Sequence, residues 1–159
     1  VIYEAALNEY APLGTEASVT NPATVSGTGI TPVTAAETVN AEAAPNLAIT
    51  KSVSPVPVTE NGTLTYTFRI QNYGSVAATN TTGVVITDTF APVLNNLTAA
   101  LNGTAWTAAT DYTYNEATGT FSSTAGAITV PAATYTQDST TGAWVVTPGE
   151  STLVITGTV

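Results

Sequence analysis

The chain has 159 residues, enough to bury a core as a single domain, and it contains no Cys, Met or His. Thr makes up about a fifth of it and charged residues only 8%, a balance that favours strands over helices. The formal charge is −9 and the only cations are Lys51 and Arg69, so neither nucleic acid nor an anionic membrane is expected as a partner. The absence of thiols excludes disulfides and zinc thiolate sites. From the composition we expect an all-β protein. No apolar run is long enough to span a bilayer, so membrane insertion is not expected.

Residues 1–45 form a predicted N-terminal extension, because Ala, Gly and Pro positions interrupt any long element there. Within it, residues 19–25 alternate like a strand, and residues 26–45 are predicted to be a linker. The side chains predicted to share one strand face are Val19, Asn21, Ala23 and Val25. The sequence begins without Met, which favours an exported protein that has lost its leader.

From residue 46 onward, short alternating segments separated by turn residues recur at the spacing of a sandwich. The predicted strands cover residues 47–53, 64–70, 84–90, 112–114, 119–122, 143–146 and 153–159. Their number and spacing predict an immunoglobulin-like β-sandwich over residues 46–159.

Two predicted strands each place a charged residue in an apolar row. Lys51, the only lysine, is in step with three apolar side chains of its predicted strand. Asp88 is likewise in step with three apolar side chains of another predicted strand. Their row neighbours are Leu47, Ile49 and Val53 for Lys51, and Val84, Ile86 and Phe90 for Asp88. With Asn21 in its own apolar row, three polar groups need a buried explanation, whereas Arg69 is predicted to face solvent.

Other candidate sites have weaker support. Aromatic residues of a β protein are more often core than an exposed glycan platform, and no spacing here matches a calcium loop. Four Asn-x-Thr acceptors give weak support for export, since a Thr-rich chain produces them by chance. The aromatic candidates are Trp106, Tyr112, Tyr114, Tyr135 and Trp144; the calcium candidates are Asp111, Asn115 and Glu116; the glycosylation candidates are Asn61, Asn80, Asn96 and Asn102. No metal or cofactor is assigned.

Four segments, NLAITKSVSP, LTYTFRIQNYG, VVITDTF and VTNPATVSG, resemble signatures of the "domain of unknown function 11" family of prokaryotic surface repeats. The resemblance covers about residues 19–27 and 46–90. It implies an immunoglobulin-like fold and a role in cell-surface architecture, usually as tandem modules, with no established enzymatic activity.

The order of the motifs differs from that family, in which the lysine strand opens the domain and the Asn-bearing strand closes it. Here the closing-type strand comes first, so residues 46–159 are expected to form a sandwich lacking its last strand. Such a sandwich has an open groove that invites an added strand. If residues 19–25 of another copy fill it, the contact is head-to-tail and builds an open fibre. A monomer that fills its own groove is the alternative, because residues 26–45 are long enough to return.

The resemblance, together with the predicted facing, suggests a spontaneous isopeptide bond like those in immunoglobulin-like pilus domains. Lys51 would attack the carboxamide carbon of Asn21 while Asp88 acts as the assisting acid, releasing ammonia. Two alternatives stay open. In one, Lys51 and Asp88 form a buried ion pair beside Asn21; in the other, Lys51 extends to solvent from the strand edge.

The predicted function is a structural subunit of an extracellular filament on a cell or spore surface, with copies of itself as its partners. The alternative is an adhesive or spacer module of a tandem surface protein, with a glycan or host ligand that is unknown. Apart from one single-turnover cross-link, no enzymatic activity is expected.

Overall fold

The computed structural model describes residues 2, 4, 6–12, 14 and 17–159. Within these residues the chain forms antiparallel β-strands and one 3₁₀ turn, Asn80–Thr82, so the expected all-β class is confirmed. The strands are β1 (Ser18–Gly27), β2 (Ile30–Asn40), β3 (Leu47–Ser54), β4 (Thr63–Asn72), β5 (Thr87–Thr89), β6 (Asn95–Leu101), β7 (Thr104–Ala105), β8 (Tyr112–Asn115), β9 (Thr120–Ser123), β10 (Thr134–Gln137), β11 (Trp144–Thr147) and β12 (Gly149–Thr158). None of the helical structure in the described part is long and apolar enough to cross a membrane.

The body of the protein consists of a five-stranded sheet, ordered β3-β4-β12-β6-β7, packed on a three-stranded sheet, ordered β5-β9-β8. One core lies between them, to which both sheets contribute buried apolar side chains. The rings of Tyr66 on β4 and Phe90 after β5 meet across it with centroids 4.7 Å apart. This is the layering of a β-sandwich. A further hairpin, β10–β11, pairs outside the two sheets.

Strand β4 shows why the sequence folds this way. Its buried residues alternate with more exposed ones, so one face lies on the core and the other faces away, as the period of two predicts. The buried side chains are Leu64, Tyr66, Phe68 and Ile70. Arg69 is exposed, as expected, and its guanidinium lies 2.6 Å from the Glu150 carboxylate on β12.

Strand β12 lies between β4 and β6, so both of its edges are paired. From its apolar residues, the segment 1–7 is a candidate strand that could pair with this C-terminal strand. Val1, Tyr3 and Ala5 of that segment lie outside the described residues. Because both edges of β12 are already paired, residues 1–7 cannot add to the sheet beside this strand.

The structure differs from the sequence prediction over residues 26–45, where a linker was expected. Residues Ile30–Asn40 instead form β2, which pairs with β1 in a long antiparallel hairpin. Thr28 and Gly29 make the turn, and Gly29 takes a φ of +76° that a side chain would strain. The predicted donor segment is therefore one arm of a two-stranded unit.

Proline fits into this hairpin without loss of a ladder bond. The N–H of Ala41 donates to the carbonyl of Ala17. The backbone N–H and C=O groups of odd-numbered β1 residues therefore bond to β2, and those of even-numbered residues point outward, away from β2. Pro22 on β1 occupies such an outward position, and Pro32 on β2 lies at the register shift near the turn, where it has no aligned partner. Their missing N–H groups cost the hairpin nothing.

A buried asparagine fixes the junction between the hairpin and the body. Asn72, fully buried, accepts the N–H groups of Asn46 and Gly74, each at 2.9 Å. Its amide nitrogen donates to the carbonyls of Val76 and Pro131 at 2.8 and 3.0 Å. Every polar position of this side chain is thus used to hold the start of β3 against two loops.

Candidate functional site

The candidate site lies along β3, an edge strand whose apolar face is incompletely covered. Lys51 is aligned with Phe68 of β4, so it faces the core side, as the sequence predicted. Neighbouring Ile49, however, is 52% exposed, because the three-stranded sheet does not extend over this part of β3. A groove of about 180 Å³ opens there, lined by Leu47, Ala48, Ile49, Ile70, Val84, Val85 and Ile86.

Lys51 and Asp88 meet at the end of this groove. The Lys51 ammonium donates to Asp88 Oδ2, which joins the edge strand of one sheet to the edge strand of the other. The Lys51 side chain is 40% exposed and that of Asp88 is 18% exposed. Of the alternatives left open by the sequence, the ion pair between Lys51 and Asp88 matches this contact, but the pair is partly exposed rather than buried.

Aromatic rings surround the same ammonium. Its nitrogen lies 4.8, 5.5 and 5.2 Å from the ring centroids of Tyr66, Phe68 and Phe90. These distances are within the range at which a cation is attracted to the face of a ring. The amine is thus held at a defined position on the core side, beside an acid.

Strand β5 positions the acid. Asp88 is aligned with fully buried Phe121 of β9, which makes it face inward as predicted. Its Oδ1 accepts the N–H of Thr89 at 2.8 Å while Oδ2 accepts from Lys51. Since each oxygen has its own donor, the carboxylate cannot rotate without losing a hydrogen bond.

Asn21, the third predicted participant, lies on the hairpin rather than beside Lys51. Strand β1 makes its ladder with β2, and its residues are almost all exposed. The structure therefore brings together two of the three predicted groups within one chain. It places the third on a separate element.

Sequence reasoning missed Glu37, which is aligned with Asn21 across the hairpin. Directly opposite residues of an antiparallel pair share a face, so both point the same way. The signal was available: Glu37 interrupts an apolar row of period two. That row lies within residues 26–45, for which the sequence otherwise predicts a linker. The other members of the row are Val33, Ala35 and Val39.

Four of the five aromatic candidates make contacts that stabilise the fold. Tyr112 is buried and stacks on Phe121 at 5.4 Å, and burial raises the pKa of its hydroxyl. The Tyr114 hydroxyl donates to the Leu94 carbonyl at 2.9 Å and accepts the N–H of the same residue at 3.0 Å. Tyr135 donates to a backbone carbonyl, and Trp106 is partly buried against the core. These contacts match the structural interpretation of the aromatic residues.

Two of the three calcium candidates likewise have structural contacts. Asp111 Oδ2 accepts the N–H of Thr107 at 2.8 Å, and Asn115 Oδ1 accepts that of Ala117 at 2.9 Å. Across the described ranges, His, Cys, Asp and Glu side chains nowhere form a group of three that could hold a metal.

The four glycosylation candidates differ in accessibility. The Asn102 amide is engaged on both sides, donating to Ser151 Oγ at 3.2 Å and accepting the N–H of Thr152 at 2.8 Å. All three of the others are exposed: Asn61 at a turn, Asn80 in the 3₁₀ turn and Asn96 near the start of β6, where its φ is positive. Only these three present an amide that a glycan could reach without breaking contacts with β12.

Comparison of the chain with protein-family models, with curated proteins and with solved structures found no match.

Proposed function

We propose that this protein is a structural subunit of an extracellular filament, polymerised head-to-tail when the hairpin β1–β2 of one subunit fills the groove along β3 of the next. One observation carries the proposal: the chain has an apolar groove between two edge strands and, separately, a hairpin with an apolar face. Ile49 in the groove is 52% exposed and Val25 on the hairpin is 69% exposed. Each surface has the chemistry that would cover the other.

The hairpin joins the β5 edge of the three-stranded sheet. A strand added there lies over β3 and covers its apolar side chains, whereas a strand added to β3 itself would extend the five-stranded sheet and leave the face open. The overall arrangement is then an immunoglobulin-like sandwich completed by a neighbour, in keeping with the resemblance to the surface-repeat family.

The junction favours donation to a neighbour over closure within one chain. The segment between β2 and β3 is fixed to the body by Asn72 and by the Ser75 hydroxyl, which donates to the Glu42 carbonyl at 3.3 Å. Gly74 packs so closely on it that an added Cβ would lie 2.1 Å from the Ala44 carbonyl oxygen. Folding the hairpin back would break these contacts. Donation in trans keeps them and, being heterologous, propagates.

Docking completes the cross-linking site, because it excludes water from Lys51 and burial favours the neutral amine. Lys51 gives a proton to Asp88 and attacks Cγ of Asn21 from the donor. The Cγ–Nζ bond forms, the Cγ–Nδ2 bond breaks, and Nδ2 departs as ammonia, which takes up the released proton. Each joint thereby gains a covalent bond that a Cys-free extracellular filament cannot obtain from disulfides.

Mass spectrometry of subunits boiled in denaturant tests both steps. Cleavage after Glu isolates residues 17–37, which contain Asn21, and residues 43–60, which contain Lys51. We expect these two peptides to be linked with a loss of about 17 mass units, in a ladder of covalent multimers. The matched control is Lys51→Arg, which keeps the ion pair with Asp88 but has no amine that can become neutral.

Each other outcome has a distinct meaning. The linked peptides in a monomer would mean that the hairpin closes on its own domain. Filaments visible by electron microscopy but without linked peptides would leave donation standing and remove the bond. Monomers that never assemble would contradict the filament and favour a spacer or adhesive module.

A further inference from the structure

The hairpin carries a single charged residue, and it lies in the middle of the apolar face. Among residues 18–40 that residue is Glu37, aligned with Asn21 on the neighbouring arm. The aligned pairs Val19 with Val39, Ala23 with Ala35 and Val25 with Val33 complete the same face. A carboxylate in such a row is costly to bury unless a cation meets it.

The groove contains the matching cation. Lys51 is the only lysine of the chain, and the other cation, Arg69, lies on the outer face of β4 in contact with Glu150. Asn21 can reach Lys51 only if the shared face of β1 and β2 is the one that enters the groove. Glu37 must then enter with it, because aligned residues have Cβ atoms about 5 Å apart.

The number of strands allows both arms to dock. The body has five strands in one sheet and three in the other, so a two-stranded unit added beside β5 would give both sheets five strands. An isolated hairpin is marginally stable in water and needs a third strand or a packed face. Entry as an intact hairpin supplies both, without breaking the β1–β2 ladder.

On the basis of the proposed function, we propose that Glu37 of the donor is a second catalytic acid of the joint, paired with Lys51 and placed beside Asn21. The completed site then holds one amine, one carboxamide and two carboxylates, those of Asp88 and Glu37. Two carboxylates sharing a buried site hold a proton between them, since both cannot stay ionised at close range. One acid accepts the Lys51 proton while the protonated one donates to the Asn21 carbonyl oxygen. The net reaction is unchanged: an ammonium and a carboxamide give an amide and one ammonium ion.

The test uses two full-length variants that can form only one cross-link. Lys51→Ala donates a hairpin with Asn21, but its own groove has no amine to attack an incoming Asn21. Asn21→Ala has that amine in its groove, but its hairpin has no carboxamide to be attacked. In a mixture of the two, the only possible bond joins Lys51 of the second to Asn21 of the first. Covalent heterodimer is followed over time on denaturing gels at a series of pH values.

Adding Glu37→Gln to the donor should slow the covalent step about tenfold or more and change its pH profile, because a shared proton has been removed. Adding the same substitution to the acceptor should leave the rate unchanged, since that Glu37 is not at the joint. Non-covalent association, measured by sedimentation, should persist because Gln has nearly the same shape. The acceptor substitution is thus a matched control for any effect on folding.

Equal rates and pH profiles for the unsubstituted and donor-substituted mixtures would overturn the role of Glu37. So would equal slowing from either side, which would indicate a general folding effect. A linked peptide that has lost about 18 mass units would instead make Glu37 the acyl partner and replace Asn21. Absence of heterodimer in the unsubstituted mixture would contradict the proposed cross-link itself. Failure of the role of Glu37 and failure of the cross-link are therefore distinguishable.

Discussion

Strands β1 and β4 have the same alternating pattern and opposite surroundings. In β4 the apolar row is buried between two sheets, whereas in β1 the equivalent row faces solvent. Both patterns were readable as strands, because a period of two reports only that the two faces differ. Alternation therefore identifies a strand face that requires a partner, without indicating which chain supplies that partner.

The largest expected difference between the two regions is the effect of truncating an apolar side chain. Phe121→Ala in the fully buried core should lower the free energy of unfolding by about 3–5 kcal/mol. Val25→Ala on the hairpin should change it by less than about 0.5 kcal/mol in unassembled subunits. Urea denaturation of monomers, kept dilute and in a Lys51→Ala background that cannot cross-link, measures both. A large effect of Val25→Ala would mean that the hairpin packs on its own body.

A smaller effect is expected at the junction between the regions. Asn72→Ala leaves two backbone N–H groups and two carbonyls without their partner, and should cost about 2 kcal/mol. The control is Asn115→Ala at the exposed last residue of β8, whose side chain accepts one N–H at 2.9 Å and for which less than about 1 kcal/mol is expected. Urea denaturation compares the two, and equal losses would contradict the role given to Asn72. The variant should also favour closure within one chain, because the segment leading to β3 is released.

The smallest effect concerns the exposed ion pair on the outer face of the body. The hydrogen bond from Arg69 lowers the pKa of Glu150. A lowered folded-state pKa means that the pair contributes stability above the ordinary Glu pKa and loses it as pH falls through the lowered value. Nuclear magnetic resonance titration should find the Glu150 pKa below the ordinary range in the parent. In Arg69→Gln it should return toward that range, and an unchanged titration would exclude Arg69 as the cause.

Much of the body was predictable because its signals are local. Each of the seven predicted strands from residue 47 onward corresponds to a strand of the structure, with shifts at the ends; β6, β7 and β10 were missed. Strand β6 contains NNLTAAL, in which polar and small residues hide the alternation, so only its pairing with β12 identifies it as a strand.

The candidate site was also predictable only in part. Period-two facing placed Lys51 and Asp88 inward from sequence alone, and both face inward. Their mutual contact, the three aromatic rings around the amine and the alignment of Glu37 with Asn21 depend on strands distant in sequence. No local pattern reports such contacts.

The all-β class, most strand positions and the inward direction of two charged side chains follow from the sequence, because they depend on side-chain chemistry and a period of two residues. Three other features are visible only in the folded chain: the predicted linker is a second strand, β3 lies uncovered at a sheet edge, and Asn72 holds the junction. Those outcomes depend on which backbone groups find partners across the fold, and a partner's position is a property of the whole chain.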